Sequence, residues 1–325
     1  MQEIHVTANE AGQRLDKLLA KFLREAPKSF LYKMLRKKNI TLNGRKADGS
    51  EKLAQGDVIK LFLSKETIEK FSGSGIITVP AKPDMKPDII YEDSHILLIN
   101  KPVGMLSQKA RENDISAVEY LTAYLLSSGQ ITERELKTFH PSICNRLDRN
   151  TSGILAAGKS LCGLQELSRF FKDRSIEKYY LCPVDGLITK CTKAKGFLTK
   201  NQKTNKVMIS PTEVSESTPI ETEYRPVASA ANITLLEVHL ITGKTHQIRA
   251  HLASAGHPVI GDYKYGNRKV NEQYRKQYGL TSQLLHAWRL VMPQTDGPLA
   301  GLSGREFRAD VPDLFRRICK DKGVM

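Results

Sequence analysis

Acidic residues are scarce in this 325-residue sequence: 35 Asp and Glu stand against 50 Lys and Arg, which gives a net charge of +15. A folded chain with such an excess of cations is typical of proteins that meet a polyanion, either nucleic acid or a membrane face. Hydrophobic residues make up 40% of the chain, enough for a sizeable core and too many for a disordered protein.

Long apolar runs and cysteine frameworks are also missing. The longest strongly apolar stretch covers only residues 96–99, whereas a transmembrane helix needs roughly 20 residues. The first five residues lack the basic-then-apolar order of a signal peptide. The five cysteines are scattered, and none has Cys-x-x-Cys spacing. We therefore expect a cytoplasmic protein with neither a disulfide framework nor a metal site.

The N-terminal region, residues 1–75, reads as a small α/β unit. Apolar residues recur with helical spacing over 15–22 and again over 30–35. Two predicted strands follow, at 40–42 and 58–63, and Asn43-Gly44 after the first of them is a tight-turn signal.

Seven basic residues and no acidic residue lie between positions 28 and 46 of this unit. A solvated helix face is one interpretation of the cluster. The absence of balancing acids favours the other, a surface that contacts phosphates. This basic N-terminal surface comprises Lys28, Lys33, Arg36, Lys37, Lys38, Arg45 and Lys46.

Glycine and proline between residues 64 and 86 mark a linker, which we place at 76–86. A second domain, 87–325, follows. Its strands are predicted at 96–99, 154–157, 179–184, 233–240 and 285–290, and its helices at 160–172 and 245–255. We predict an α+β fold with a mixed, largely antiparallel sheet, preceded by the small α/β unit.

The densest polar segment of the second domain, 145–153, runs directly into an apolar strand. Within it, Asp148 lies close to Arg146 and Arg149, which would favour an ionised carboxylate able to act as a nucleophile or base. The alternative is a turn aspartate held by Thr151 and Ser152.

A second segment, 242–252, joins a predicted strand to a predicted helix. Ile248 and Leu252 belong to the buried stripe of that helix, whereas His246 and Arg249 share another face. Taken alone, Arg249 reads as a surface or structural cation. His246 and His251 are five residues apart and share no face, which argues against a metal site.

Tyr179 and Tyr180 begin another predicted strand. Without further information, the pattern indicates an alternating strand with one tyrosine buried and one exposed.

Together these segments resemble RluA-type pseudouridine synthases. The resemblance lies in Arg-Leu-Asp-Arg at 146–149, in Gly-Lys-Thr-His-Gln-Ile-Arg at 243–249, and in shorter landmarks in the family's order. Those landmarks are Asn100-Lys101-Pro102, Lys178-Tyr179, Gly261-Asp262 and Leu285-His286-Ala287. Asn145 and Asn150 depart from the family, which usually has His and Asp there. The N-terminal unit is similar to the S4 RNA-binding module that precedes this domain in many members.

The resemblance implies an isomerase that converts uridine in RNA to pseudouridine without metal or cofactor. It makes Asp148 the carboxylate that attacks the nucleotide or removes a proton from it, with Arg249 as its ion-pair partner. Tyr179 would stack on the target base, and Arg149 would fill the gap left by the flipped nucleotide.

The S4-containing members point to 23S ribosomal RNA, with transfer RNA as the alternative, and we expect a monomer. Two other functions stay open: an RNA-binding assembly factor without activity, and an N-glycosylase that releases uracil.

Overall fold

The computed structural model describes residues 1–7, 9–72, 86–111, 113–202 and 204–325. These residues form two separate sheets, one of four strands and one of eleven. The predicted linker, 76–86, lies outside the described residues except for Lys86.

The N-terminal unit is a four-stranded antiparallel sheet with the strand order β1-β4-β2-β3 and three helices. Its elements are β1 Gln2–His5, α1 Leu15–Phe22, α2 Lys28–Arg36, β2 Ile40–Leu42, β3 Arg45–Lys46, β4 Val58–Leu61 and α3 Lys65–Ser72. The predicted helices and strands are therefore present. α3 lies within the stretch 64–86 whose composition indicated a linker, but before the linker as we place it at 76–86, and its Ile68 is buried.

The turn between β2 and β3 follows from its sequence. Asn43 and Gly44 both have positive φ angles, 51° and 74°. Two such residues in succession are typical of the tight turn whose twist matches that of a hairpin, and Asn and Gly adopt this backbone most readily. α2 and β3 carry five residues of the basic N-terminal surface, and the other two, Lys37 and Lys38, lie in the turn between α2 and β2.

The N-terminal unit contacts the second domain through a buried carboxylate. Glu10 is 3% exposed, and one of its oxygens accepts a 2.5 Å hydrogen bond from the Thr138 hydroxyl. Its other oxygen accepts hydrogen bonds from the backbone N–H and hydroxyl of Thr7. The carboxylate thus joins the two regions with hydrogen bonds at both oxygens.

The second domain is built on the eleven-stranded sheet, with the main order β11-β10-β12-β13-β9-β14-β8-β6-β5. Its strands are β5 Asp88–Glu92, β6 Ile96–Lys101, β7 Ser142–Ile143, β8 Ser152–Gly158, β9 Glu177–Asp185, β10 Thr192–Asn201, β11 Lys206–Ser210, β12 Thr218–Ala230, β13 Ile233–Leu240, β14 His286–Val291 and β15 Glu306–Arg308. Its helices are α4 Ala117–Ser127, α5 Leu161–Asp173, α6 Gln247–Ser254, α7 Arg268–Tyr278 and α8 Asp313–Asp321.

Both faces of this sheet are covered. In β6, Leu97 and Ile99 pack on one face in the core that contains α4 and α6, whereas Ile96 and Leu98 pack on the other with α5. Such burial on both faces explains why β6 and β8 are continuous apolar runs. Among the described strands β8 and β14 pair in parallel, and the other pairings are antiparallel, which confirms the predicted α+β class.

Candidate active site

The loop of Asp148 connects β7 to β8 and is anchored to the chain after β6. The Ser107 hydroxyl donates to the Leu147 carbonyl at 2.8 Å and accepts from the Leu147 N–H at 3.0 Å. Lys101, fully buried, donates to the carbonyls of Pro102, Met105 and Arg149 at 2.9–3.1 Å. Burial lowers the pKa of Lys101 to about 7, and the nearby Asp148 charge opposes this shift. The loop is therefore held on a rigid base.

Asn145 fixes the other side of this loop. Its amide accepts a 2.8 Å hydrogen bond from the Ala156 N–H and donates at 3.2 Å to the Ile154 carbonyl. Gly153 then lets β8 approach β14 closely: its φ is +108°, and a Cβ there would lie 2.2 Å from the Ala287 carbonyl oxygen. The side chain at 145 thus pairs with backbone, using the donor and acceptor that an amide carries.

Arg249 lies in α6, and Gln247 anchors the turn that leads into this helix. The Gln247 side-chain oxygen accepts from the Thr242 hydroxyl at 2.9 Å and from the Lys244 N–H at 3.1 Å. Its amide nitrogen donates to the Thr222 hydroxyl at 2.8 Å. Gln247 is 2% exposed, so these buried hydrogen bonds fix where α6 begins.

Arg249 forms ion pairs with two carboxylates. Its Nη1 lies 2.9 Å from Asp148 Oδ2, and its Nε and Nη2 lie 2.7 and 2.9 Å from the two oxygens of Asp262. Asp262 is fully buried, whereas the Asp148 side chain is 26% exposed. Burial alone would lower the pKa of Arg249, but its hydrogen bonds and charge interactions with the carboxylates raise it. We call these three residues the Asp148 cluster.

Asp262 is a member of this cluster to which sequence reasoning gave no role. The residue belongs to the family landmark Gly261-Asp262, but the motif alone does not show that Asp262 pairs with Arg249. In the structure, Asp262 Oδ1 also accepts the backbone N–H groups of Lys264 and Tyr265 at 2.9 and 3.2 Å. A carboxylate satisfied in this way holds the guanidinium of Arg249 in one orientation.

The two oxygens of Asp148 have different surroundings. Oδ2 faces Arg249, and within the described residues Oδ1 accepts no hydrogen bond. The alternative of a turn aspartate accounts only for the backbone, because the Thr151 N–H donates to the Asp148 carbonyl at 3.0 Å. The carboxylate itself is held by Arg249.

Tyr179, our candidate for the base-stacking residue, is not brought to Asp148. Successive residues of a strand point to opposite faces of the sheet. Tyr179 stacks on His239 with ring centroids 4.7 Å apart, lies under the guanidinium of Arg289 and donates to Glu177 at 2.8 Å.

Tyr180 lies on the face that carries the Asp148 loop, in the same core as Leu147. Burial and the Asp148 charge raise the pKa of Tyr180 well above its ordinary value. Its hydroxyl has no hydrogen-bond partner among the described residues and is not sealed from solvent. A role that needs a tyrosine beside Asp148 therefore falls to Tyr180.

The RNA-contact candidates are exposed. Arg149 is exposed, and its Nε donates to the Gly104 carbonyl at 3.1 Å, beside the Asp148 loop. All seven residues of the basic N-terminal surface are exposed, and none forms an ion pair with any described residue. Arg149 therefore lies next to the Asp148 cluster, whereas the seven others lie on the separate N-terminal sheet unit.

Two kinds of site are not found in the part of the chain that the structure describes. No group of three or more His, Cys, Asp or Glu side chains there could hold a metal ion. No helix there is both long and apolar enough to cross a membrane.

Comparisons with known proteins agree on one family. Residues 95–254 match the model of the RNA pseudouridylate synthase family. Ribosomal large subunit pseudouridine synthase C of Vibrio vulnificus is 32% identical over 92% of this chain and 91% of its own length. The protein of the same name in Escherichia coli strain K12 is 32% identical over 87% of this chain and 86% of its own.

Solved structures show the same fold. A human protein named RNA Pseudouridylate Synthase Domain Containing 4 matches with a TM-score of 0.58 at 19% identity, over 73% of this chain and 93% of that one. A second human protein, named RNA Pseudouridylate Synthase Domain Containing 1, gives 0.52 at 20% identity, over 75% of this chain and 98% of that one. Sequence and fold agree, and the chain belongs to the RNA pseudouridylate synthase family.

Proposed function

We propose that this enzyme isomerises specific uridines of large-subunit ribosomal RNA, with Asp148 as the reacting carboxylate. The observation that carries the proposal is the asymmetry of Asp148, whose Oδ2 is held by the buried Arg249 and whose Oδ1 is unpaired among the described residues. The bacterial relatives, named for the large subunit, match most of their own length to this chain, which supports the same class of substrate.

The reaction conserves every atom of the nucleotide. The bond from N1 of the base to C1′ of the ribose breaks, a bond from C5 to C1′ forms, the proton on C5 leaves and N1 ends protonated. A carboxylate can assist by attacking the sugar or by removing a proton from it. Either role requires a carboxylate oxygen that is free to approach the nucleotide, and the unpaired Oδ1 of Asp148 supports this assignment.

Arg249 and Asp262 support Asp148 in this role. A carboxylate in an enclosed pocket favours its neutral form unless a cation faces it. Arg249 supplies that cation at 2.9 Å, and Asp262 fixes its orientation through two further bonds. Because the cluster carries two carboxylates and one guanidinium, one negative charge remains for chemistry.

We assign the role of stacking on the target base to Tyr180 instead of Tyr179. Tyr180 lies on the Asp148 face of β9, and its raised pKa keeps the phenol protonated at neutral pH. A neutral phenol can pack against the flipped uracil and donate a hydrogen bond while the C5 proton is transferred. Tyr179 already donates its hydroxyl proton to Glu177.

RNA binding is divided between two regions in this proposal. Arg149, exposed beside the Asp148 loop, would occupy the space that the flipped nucleotide leaves. The seven residues of the basic N-terminal surface, in an S4-like domain of residues 1–75, would contact phosphates. The linker would span 76–86 and the catalytic domain 87–325, and the enzyme would act as a cytoplasmic monomer without a cofactor.

Pseudouridine mapping tests the reaction, the nucleophile and the substrate together. Protein-free 23S ribosomal RNA and bulk transfer RNA are incubated with wild type, with Asp148→Ala and with Asp173→Ala, a control on the exposed end of α5. We expect new pseudouridine at discrete ribosomal uridines with wild type and the control, and none with Asp148→Ala. New pseudouridine in transfer RNA alone would assign transfer RNA as the substrate. Release of free uracil would indicate a glycosylase.

A further inference from the structure

His246 is a polar side chain beside Asp148 that the proposed function leaves unused. It lies directly before α6, with φ 53° and ψ 16°. This left-handed backbone is uncommon for residues other than glycine, although asparagine, aspartate and histidine adopt it more often than the rest. Its ring is only 11% exposed, and its Nε2 lies 3.9 Å from Asp148 Oδ2. An enclosed histidine this close to the proposed reacting carboxylate is a candidate for a role in the site.

The contact with Tyr265 favours one tautomer of the His246 ring. The Tyr265 oxygen accepts the backbone N–H of Val207, in β11, at 3.0 Å and lies 2.9 Å from His246 Nδ1. The hydroxyl hydrogen then has Nδ1 as its acceptor within the described residues. A neutral imidazole with Nδ1 as acceptor carries its hydrogen on Nε2. That N–H is the one that faces Asp148.

Burial is the main reason that the pKa of His246 is lowered and its ring is neutral. Burial lowers its pKa, and the cations of Arg249 and Lys264 lower it further, whereas the carboxylates of Asp148 and Asp262 raise it in part. The net shift is downward, so the ring is neutral at neutral pH. A neutral donor can turn toward Asp148 without cancelling the charge that the reaction needs.

Tyr265 supports Arg249 as well as His246. The Arg249 guanidinium lies 5.3 Å from the Tyr265 ring centroid, and the Tyr265 N–H donates to Asp262 at 3.2 Å. Tyr265 thus contacts Arg249 and His246, the two groups that face Oδ2 of Asp148. Its hydrogen bond with the Val207 N–H connects them to the hairpin of β10 and β11.

We propose that His246 is a positioning residue for the isomerisation: its Nε2–H joins Arg249 at Oδ2 and keeps Oδ1 of Asp148 directed at the nucleotide. The inference rests on the proposed function of Asp148. At 3.9 Å the contact is longer than a hydrogen bond. We expect it to shorten when the bound nucleotide presses the carboxylate into place, since catalytic hydrogen bonds often tighten only in the complex.

Single-turnover kinetics on the full-length enzyme with ribosomal RNA test this role. We compare wild type, His246→Ala and His246→Gln with His239→Ala, a half-buried histidine on the Tyr179 face. A hydrogen bond to a charged group corresponds to roughly 10- to 100-fold in rate. We therefore expect His246→Ala to lower the single-turnover rate by that factor while the Kd for RNA changes less than about twofold. His246→Gln, which keeps an N–H donor, should recover most of the rate, and His239→Ala should match wild type.

Coupling to Tyr265 gives a second readout. Tyr265→Phe should slow the reaction in wild type and add little in the His246→Ala background, because both changes remove the same support. Unchanged turnover in His246→Ala, a loss confined to Kd, or no recovery in His246→Gln would overturn the positioning role. If Asp148→Ala also retained turnover, the proposed function itself would fail, and the two failures are therefore distinguishable.

Discussion

The cations of this protein occur in two contrasting environments. In the Asp148 cluster, Arg249 is buried and bound by two carboxylates at 2.7–2.9 Å. On the basic N-terminal surface, seven cations are exposed and have no ion-pair partner among the described residues. The first environment fixes one guanidinium in one orientation. The second leaves flexible charges in water.

A buried, paired cation can hold a neighbouring side chain in one orientation, whereas exposed, unpaired cations can attract an anion from solution. A buried ion pair is weakly screened, and the loss of one partner leaves an uncompensated charge. Exposed cations act over about a Debye length and release counterions when they meet phosphates, so their effect depends on salt. The excess of basic residues in the sequence therefore combines two environments, and the predictions below test whether they have separate functions.

The largest effect is expected from the carboxylate at the centre of the cluster. Asp148→Asn keeps the shape of the side chain but removes its charge, and we expect turnover to fall by at least about 1,000-fold. The Kd for RNA should stay within a few-fold, because the exposed cations are untouched. Filter binding and single-turnover assays measure the two quantities. Near-wild-type turnover would remove Asp148 from the reaction.

The next largest effect concerns the support of Arg249. Asp262→Asn leaves the guanidinium with one carboxylate instead of two, and breaking such a buried pair destabilises a protein by roughly 3–5 kcal/mol. Denaturant unfolding measures this loss, with the exposed Asp173→Asn as the matched control. Equal stability of the two variants would show that Asp262 does not hold the pair together.

The two tyrosines of β9 give a smaller and more selective test. Tyr180→Phe removes the hydroxyl on the Asp148 face, and we expect the rate to fall roughly 100-fold, the scale of a lost proton donor. Tyr179→Phe removes only the hydrogen bond to Glu177 and should turn over like wild type. A larger loss of rate in Tyr179→Phe than in Tyr180→Phe would assign the base-stacking role to Tyr179.

The smallest effect is expected at the exposed cations. Replacing Lys33, Arg36 and Lys37 together by Gln should weaken RNA binding and reduce the slope of log K against log salt by roughly 0.7–0.9 per lost phosphate contact. Turnover of bound RNA should not change. The control variant replaces three exposed basic residues elsewhere, at Lys172, Lys276 and Lys320. Equal slopes in both variants would argue against a phosphate contact on α2.

Local sequence patterns predicted most of the elements that surround the site. β8 and β13 were found because continuous apolar runs bounded by polar segments are typical of strands buried on both faces. The pattern failed for α7, where Val270, Tyr274 and Tyr278 pack inward beside the buried Asn271 and polar residues fill the rest of the helix. It also missed α4, although Ser116 and Glu119 form a capping box that marks its start.

The site was predictable in part. Asp148 and Arg249 were singled out by their motifs, and the structure brings them together across 101 residues of chain. Tyr179 was assigned its role by the family resemblance at Lys178-Tyr179. Strand spacing shows that adjacent residues alternate but not which of them faces the loop, so it could not correct the choice. Asp262 belongs to a family motif, but its ion pair with Arg249 of α6 is visible only in the structure.

By itself, the sequence determined the charge, the two-part organisation, the family motifs and the class of fold, because these depend on composition and on short-range periodicity. Only the tertiary structure decided the register of β9, and with it the choice of Tyr180. It also decided the double pairing of Arg249 and the link from Tyr265 through His246 toward Asp148. These features join segments that are distant in the chain, and their geometry is fixed by sheet pairing and core packing, which no local pattern encodes.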